Sequence, residues 1–318
     1  MLKAAAAFLK EHDDYLLIAH LSPDGDTLGS SLALHAGLLA LGKKAQVVCQ
    51  DPVPEQYRFF PGSENILPPE AVEPRENVIC IDCADAARTG RAEPLFQGAK
   101  HTLCIDHHGT NPLFAQVNYV ERRAAAGELV YLVLRELNVP ISADMAACLY
   151  GALVSDTGNF AYSNTTKETF AIAGELVELG ADVAKTNQRL YRTVPLCRLK
   201  LHVRGVEKVR LSPDGQVAVT SLSSEDFHAV GAERPHSEGL VETLRDIETV
   251  EISALLKEME NGEVRVSLRA KNRGNVAAIA GAYDGGGHRM AAGCTLHMPL
   301  AEAEEAIYRA AVKALTEN

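Results

Sequence analysis

Four short runs of the chain gather the residue types that bind divalent cations or move protons. HLSPDGD carries His20, Asp24 and Asp26; CID carries Asp82; DHHGTN carries Asp106, His107, His108 and Asn111; SDTGN carries Asp156. Carboxylates repel one another unless positive charge sits among them, and divalent metal ions are its simplest source. A dinuclear centre needs one bridging carboxylate. Asp82, alone at the end of its run, is the expected bridge. His20 and Asp24 would then serve one ion, and Asp26, His107 and Asp156 the other. Mixed imidazole and carboxylate donors suit Mn²⁺, or less selectively Co²⁺, Zn²⁺ or Fe²⁺. Two such ions about 3.5–4 Å apart activate a water and clamp the oxygens of an in-line phosphoryl displacement. Asp106, beside His107, is placed to orient an imidazole. A lone Asp after a strand is ordinarily a turn former or helix cap. Repetition of the pattern, with an adjacent His-His pair, makes metal binding the better reading.

These groups must be brought together by the elements that carry them. Apolar, β-rich runs at 15–20, 45–50, 77–82 and 102–106 alternate with helical patterns, the mark of a parallel sheet covered by helices. Ligands bind outside the carboxyl ends of such strands, where His20, Asp82 and Asp106 fall. Helices are expected over 27–41, 124–137, 142–153 and 167–179, the last closed by Gly180. The stretch 51–76, with six prolines, reads as irregular connection. Beyond it the pattern changes. Hairpins are expected from 206–211 with 216–222 and from 248–257 with 263–270, and helices over 237–245, 275–283 and 300–315. The expected architecture is α/β: a parallel-sheet domain over 1–190, a basic linker over 191–205, and a smaller α+β domain over 206–318.

The 318 residues allow about two domains. A net charge of −11 argues against coating long duplex nucleic acid, which requires many cationic contacts. It leaves room for a small anionic substrate held by metal and a few local cations. No apolar run reaches the roughly 20 residues of a membrane span. The start, MLKAAAAFLKEHDDY, reads as an amphipathic helix rather than a signal peptide, so the expected compartment is the cytoplasm. The seven cysteines are odd in number and lie mostly in apolar stretches, as small buried hydrophobes do. Cys80-Ile81-Asp82-Cys83 lacks the second pair that a zinc site needs.

Four further groups could meet a phosphate. Arg88 follows the Asp82 strand and is a candidate for a substrate phosphate as well as for surface pairing. Asn111 is a candidate donor. Arg269 ends the 263–270 strand with a guanidinium fork that matches phosphate oxygens. Gly285-Gly286-Gly287-His288 permits close backbone approach, with amides and an imidazole to offer an anion.

HLSPDGD, CID, DHHGTN and SDTGN, in this order and spacing, resemble the four motifs of the DHH phosphoesterase superfamily. VSLRAKNRGNVAAIAGAYDGGGHRMAAGC resembles its DHHA1 domain. Within that superfamily the likeness is to the bacterial NrnA-type enzymes, bifunctional oligoribonucleases and pAp phosphatases. The resemblance implies two domains facing each other across an active-site cleft, with manganese on the first. It implies metal roles for His20, Asp24, Asp26, Asp82, His107 and Asp156, and contact of His108 with the scissile phosphate. It also implies substrate-binding roles for Arg269, Gly286, Gly287 and His288. Ala270 and Asp284 stand where that pattern commonly has Ser and a fourth Gly. The expected enzyme hydrolyses short RNA, about two to five nucleotides, to nucleoside 5′-monophosphates and removes the 3′-phosphate of pAp, with His108, Asp82 and Asp106 as catalytic residues and a possible homodimer as its assembly. A family II pyrophosphatase would carry a Lys/Arg-rich C-terminal motif, and a RecJ-type exonuclease a further nucleic-acid-binding domain. A pApA-specific phosphodiesterase of cyclic-di-AMP turnover and a non-catalytic nucleotide sensor are the alternatives. The sensor would be expected to lack ligands, and none is missing. A nicotinamide-binding reading fails for want of GxGxxG after the first strand.

Overall fold

A computed structural model describes residues 1–316, which divide into two compact units, Met1–Thr193 and Val194 onward. The first unit is built on a five-stranded sheet: β1 (Tyr15–Ala19), β2 (Ala45–Val48), β3 (Asn77–Ile81), β4 (His101–Asp106) and β5 (Val117–Val120). Its order is β2-β1-β3-β4-β5 and every pairing is parallel. Ala19 lies opposite Ile81 and Ile81 opposite Ile105, so the carboxyl ends of the three central strands are level.

β1 is buried along its whole length because both faces of the sheet are covered. Leu17, Ile79 and Leu103 point to one side, into a core with α1 (Leu2–Glu11), α2 (Gly25–Ala40), α4 (Ala126–Glu136) and α5 (Ala143–Asp156). Each such side chain contributes about 1.5–3 kcal/mol on full burial. Leu16, Ile18, Val78, Cys80 and Cys104 point to the other side, with Phe96 of α3 (Glu93–Gln97). Cys80, Cys83 and Cys104 are free thiols there, pushed up chiefly by burial for Cys80 and Cys104 and chiefly by the Cys80 contact for Cys83, and so inert.

Helix starts follow their caps. Asp24 Oδ1 accepts from the Asp26 and Thr27 amides at the head of α2, and Ser142 Oγ from the Met145 amide at the head of α5. Helices α2 and α5 touch backbone to backbone: a Cβ on Gly29 would overlap the Cys148 carbonyl. Helix α6 (Lys167–Glu178) opens on a Thr166–Thr169 capping box and is followed by Gly180 at φ +109°. Two elements of this unit differ from the sequence expectation. β5 is a strand too short to show a period, and α7 (Val183–Tyr191) is amphipathic but little buried. The proline-rich 51–76 stretch contains three single-turn 3₁₀ segments.

In the second unit the expected linker 191–205 is mostly helix. α8 (Leu196–Glu207) buries Leu201 in a small core with Phe227, Leu240 and Leu255. It therefore consumes 206 and 207, and the first strand shrinks to β6 (Arg210–Leu211), paired antiparallel with β7 (Val217–Leu222). α9 (Ser224–Val230) and α10 (Leu240–Arg245) lead to the antiparallel hairpin of β8 (Ile252–Glu258) and β9 (Val264–Ala270). α11 (Val276–Gly281), β10 (Gly286–His288), β11 (Ala291–Leu296) and α12 (Leu300–Thr316) complete it. The mixed sheet runs β10-β11-β9-β8-β7-β6, with β7 and β8 parallel. No helix among the described residues is long and apolar enough to cross a membrane.

Candidate metal centre

The level strand ends of the first unit set out the site. His20 follows β1, Asp82 follows β3, and Asp106 closes β4 with His107 and His108 behind it. Thr27 stitches two of these ends to α2: its hydroxyl accepts from the His20 amide (3.2 Å) and donates to the Ile81 carbonyl (3.0 Å). Asp24 and Asp26 arrive on the first turn of α2. Asp156 arrives as the last residue of α5, a helix end rather than a strand tip.

His20 Nε2 lies 3.7 Å from Asp24 Oδ1 and 3.5 Å from Asp82 Oδ2. His107 Nε2 lies 3.3 Å from Asp82 Oδ1, 3.3 Å from Asp156 Oδ2 and 3.8 Å from Asp26 Oδ2. Asp82 thus turns one carboxylate oxygen to each group. His20, Asp24 and Asp82 form one set able to hold a metal ion, and Asp26, His107 and Asp156 a second. A third set joins Asp82, His107 and His108, so His108 also lies within reach of an ion near Asp82.

Two features of Asp82 suit a bridging ligand. Its Oδ1 is buried without a hydrogen-bond partner, a cost that a cation would remove. Its backbone is left-handed at φ +59°, a strained conformation of the kind that concentrates at functional sites. The other carboxylates are already steered. Asp26, wholly buried, accepts from the Ser30 hydroxyl and the Gly127 amide on Oδ1 (2.9 Å each) and from the Ala126 amide on Oδ2 (2.6 Å). Those two amides head α4, where a negative charge is favoured. His107 Nδ1 is 3.1 Å from the Arg123 carbonyl, which fixes the tautomer that leaves Nε2 free for a metal.

Electrostatics show how strained the set is without a cation. Burial, then Asp82 and Asp24, raises the Asp156 carboxyl to about 7. Burial, then Asp82 and Asp156, holds Asp26 well above the usual carboxylate range. Burial opposes charge on His20 and His107, but the surrounding carboxylates outweigh it and carry both imidazoles up to about 11. Protons are therefore held where a divalent ion would displace them.

The remaining expected residues divide. Asp106 orients an imidazole, but that of His108 (Oδ1 to Nδ1 2.7 Å) rather than that of the adjacent His107. Its charge raises the His108 pKa. Asn111, the candidate phosphate donor, has its amide engaged within the unit. Its amide donates to Asp106 Oδ2 (2.6 Å) and the Cys83 carbonyl (3.0 Å), so it braces Asp106 instead. Arg88 stands at the site with a guanidinium nitrogen 3.0 Å from His20 Nδ1. In the second unit Arg269 donates to Glu242 Oε1 (2.9 Å) and to the Leu268 carbonyl (3.0 Å). The glycine run is not a loop of free amides. Gly286, Gly287 and His288 form the edge strand β10, and the Gly285 amide donates to the Ala280 carbonyl. Glycine is required there by crowding: a Cβ on Gly285 would overlap the Gly293 carbonyl, and Gly287 sits at φ +139°. His288 is exposed. Sequence reasoning passed over Thr27, the Arg123 carbonyl and the Ala126 and Gly127 amides. Three of these act through the main chain and leave no side-chain signal.

Comparison with known proteins agrees with this geometry. The DHH family N-terminal domain matches residues 15–153 and the DHHA1 domain residues 214–317. The chain is 34% identical over 320 residues to a bifunctional oligoribonuclease and PAP phosphatase NrnA of Thermus thermophilus, covering 99% of this chain and 94% of that one. It is 26% identical to the protein of the same name from Bacillus subtilis, with 90% of each covered. The crystal structure of an exopolyphosphatase-related protein from Bacteroides fragilis superposes with a TM-score of 0.93 at 25% identity, over 99% of this chain and 96% of that one. The chain belongs to the DHH family of phosphoesterases.

Proposed function

We propose that this member of the DHH family is a manganese-dependent phosphodiesterase that cleaves very short oligoribonucleotides to nucleoside 5′-monophosphates and removes the 3′-phosphate of pAp. The observation that carries the reading is a pair of metal-competent triads, His20–Asp24–Asp82 and Asp26–His107–Asp156, with Asp82 set between them, Oδ2 3.5 Å from His20 and Oδ1 3.3 Å from His107. The NrnA relatives, matched over nearly their whole length, supply the substrate class.

His20, Asp24 and Asp82 would hold one ion, and Asp26, His107, Asp156 and Asp82 the other. Bound there, two divalent ions supply an activated water and charge neutralisation on the phosphate. The chain's own residues do the rest. Asp106, braced by Asn111, keeps the His108 Nδ1 proton in place and aims Nε2 at a non-bridging phosphate oxygen, where negative charge grows during attack. Arg88 adds a second cation beside the same oxygens. Water adds to phosphorus and the bond to the ribose 3′-oxygen breaks. The 3′-hydroxyl leaves with a proton, and either a 5′-monophosphate or, from pAp, inorganic phosphate is released. Arg269 and His288 are assigned to substrate phosphate and ribose, with Gly286 and Gly287 keeping that edge narrow. Metal-loaded protein is to be assayed on pAp, pApA, a four-nucleotide RNA and pyrophosphate. Dominant turnover of pyrophosphate would overturn the proposal, and dominant turnover of pApA would move it to the cyclic-dinucleotide alternative.

A further inference from the structure

The second unit carries a basic groove that none of the roles above uses. Strands β8, β9 and β11 place Lys257 directly opposite Arg265, and Arg265 directly opposite Thr295. The next row on this face is Leu255, Ser267 and Gly293, and the row after that contains Arg269. Along β9 the residues of this face, Arg265, Ser267 and Arg269, are exposed or half-buried, whereas Val264, Val266, Leu268 and Ala270 are buried on the other. A cavity of about 500 Å³ opens over the first two rows, with Tyr283 on its wall.

Like charges directly across two strands are destabilising. Among the described residues neither the Lys257 ammonium nor the Arg265 guanidinium makes a hydrogen bond or close ion pair. Burial, and then Arg265, Arg234 and Arg269, depresses the Lys257 pKa, with Glu238 acting the other way. His297, also at the cavity, is 3.6 Å from Glu263. Asp284 supplies the one carboxylate of the lining, and no ion pair engages it. Two cations on a sheet face, two hydroxyls beside them, a glycine between and an aromatic ring at the wall make the combination that single-stranded nucleic acids use: phosphate on the cations, base on the ring.

We infer that this groove is a subsite for a backbone phosphate of a single-stranded oligonucleotide, held by Lys257, Arg265, Ser267 and Thr295, with Tyr283 stacking a base. Arg265 and Arg269 are four residues apart on one strand, about 13 Å at 3.3 Å per residue, so the groove takes a phosphate other than the one assigned to Arg269. It serves substrates longer than pAp. The inference deepens the phosphodiesterase reading and rests on it.

The test is direct binding of a labelled pentaribonucleotide to the full-length protein in chelator, where no turnover occurs. Lys257→Gln with Arg265→Gln should weaken binding roughly tenfold and lower the slope of log K against log salt by about 1.4, two contacts at ~0.7 each on a single strand. Affinity for pAp should stay within about twofold, and Arg265→Lys should keep most of the pentamer affinity. The double variant removes a like-charge pair, so its melting temperature should not fall. Unchanged pentamer affinity and salt slope would overturn the inference, as would an equal loss for pAp. Displacement of the pentamer by inorganic tripolyphosphate as readily as by unlabelled pentamer would also overturn it, by showing a site for inorganic anions. Failure of the phosphodiesterase reading itself would appear separately, as absent turnover of RNA and pAp by metal-loaded wild-type protein.

Discussion

Asn111→Ala separates a bracing residue from a substrate-binding one. The Asn111 amide is spent on Asp106 Oδ2 and the Cys83 carbonyl, and its own oxygen accepts from the Leu113 amide at 2.8 Å. Asp106 is wholly buried, so the lost bond to its charged oxygen costs about 1.5–3 kcal/mol. If the whole loss appeared as misplacement of His108, turnover would fall between about tenfold and 150-fold, at 1.4 kcal/mol per decade. Asp106 still keeps its 2.7 Å partner His108, so the expected fall in kcat is near the lower limit, about tenfold. KM for pAp should stay within about twofold, because no Asn111 donor is left to meet phosphate. The fold should also soften by about 2 kcal/mol, a melting shift of about 4–8 °C for a domain of this size. Steady-state kinetics on pAp with Mn²⁺, paired with calorimetric melting, reads both. A tenfold rise in KM at constant kcat would refute the bracing role and restore Asn111 to the substrate. A cycle with Asp106→Asn should be strongly non-additive, since both changes break the same chain to His108.

Asp82→Ala should abolish turnover and reduce tightly bound Mn²⁺ as counted by elemental analysis; full activity in that variant would remove the dinuclear centre from the mechanism. Mn²⁺ affinity should rise with pH. Asp156 and Asp26 hold raised pKa values in the metal-free protein, and His20 and His107 stay protonated up to about 11, so binding must expel protons. Each proton released steepens affinity about tenfold per pH unit, and a dissociation constant equal at pH 6 and pH 8 by titration calorimetry would contradict it. Gly29→Ala should force α2 away from the Cys148 carbonyl of α5, costing about 1–3 kcal/mol of stability. Because Asp26 and Asp156 ride on those two helices, Mn²⁺ affinity should fall with it, and retention of both in a melting assay with and without metal would show that the contact does not set the site.

The sheet and the candidate ligands at its strand ends were legible because their signals are local. β1, β3 and β4 carry apolar runs at 15–19, 78–81 and 103–105, and each run is followed at once by His or Asp. The convergence of His20, Asp82 and His107 then follows from parallel pairing alone. Asp156 was legible as a candidate ligand but not as the last residue of a helix, since SDTGN reads equally well as a turn. That Asp106 would orient an imidazole was legible, but not that the imidazole is His108 or that Asn111 braces it: partner choice there depends on the depth at which Asp106 is buried, which no spacing reveals. The glycine run before His288 shows the same limit. Glycine permits both a loop and a crowded edge strand, and only the backbone of β11, pressing on Gly285 and Gly287, selects the strand. α8 hid because its three cations suggest a solvated connection, while only Leu201 and Gly205 are buried to anchor it.

The left-handed backbone at Asp82 narrows what can ever stand there. Apart from glycine, Asn and Asp are the residues that tolerate this conformation most readily. An Asp-to-Asn exchange would keep the chain's shape, the backbone hydrogen bond from its amide to the Ile105 carbonyl and the packing beneath, while removing the charge proposed to join two cations. A lineage could thus lose its chemistry in one step without losing its architecture. That leaves a nucleotide-binding scaffold one mutation from an enzyme, an easy route by which catalysts of this shape give rise to receptors.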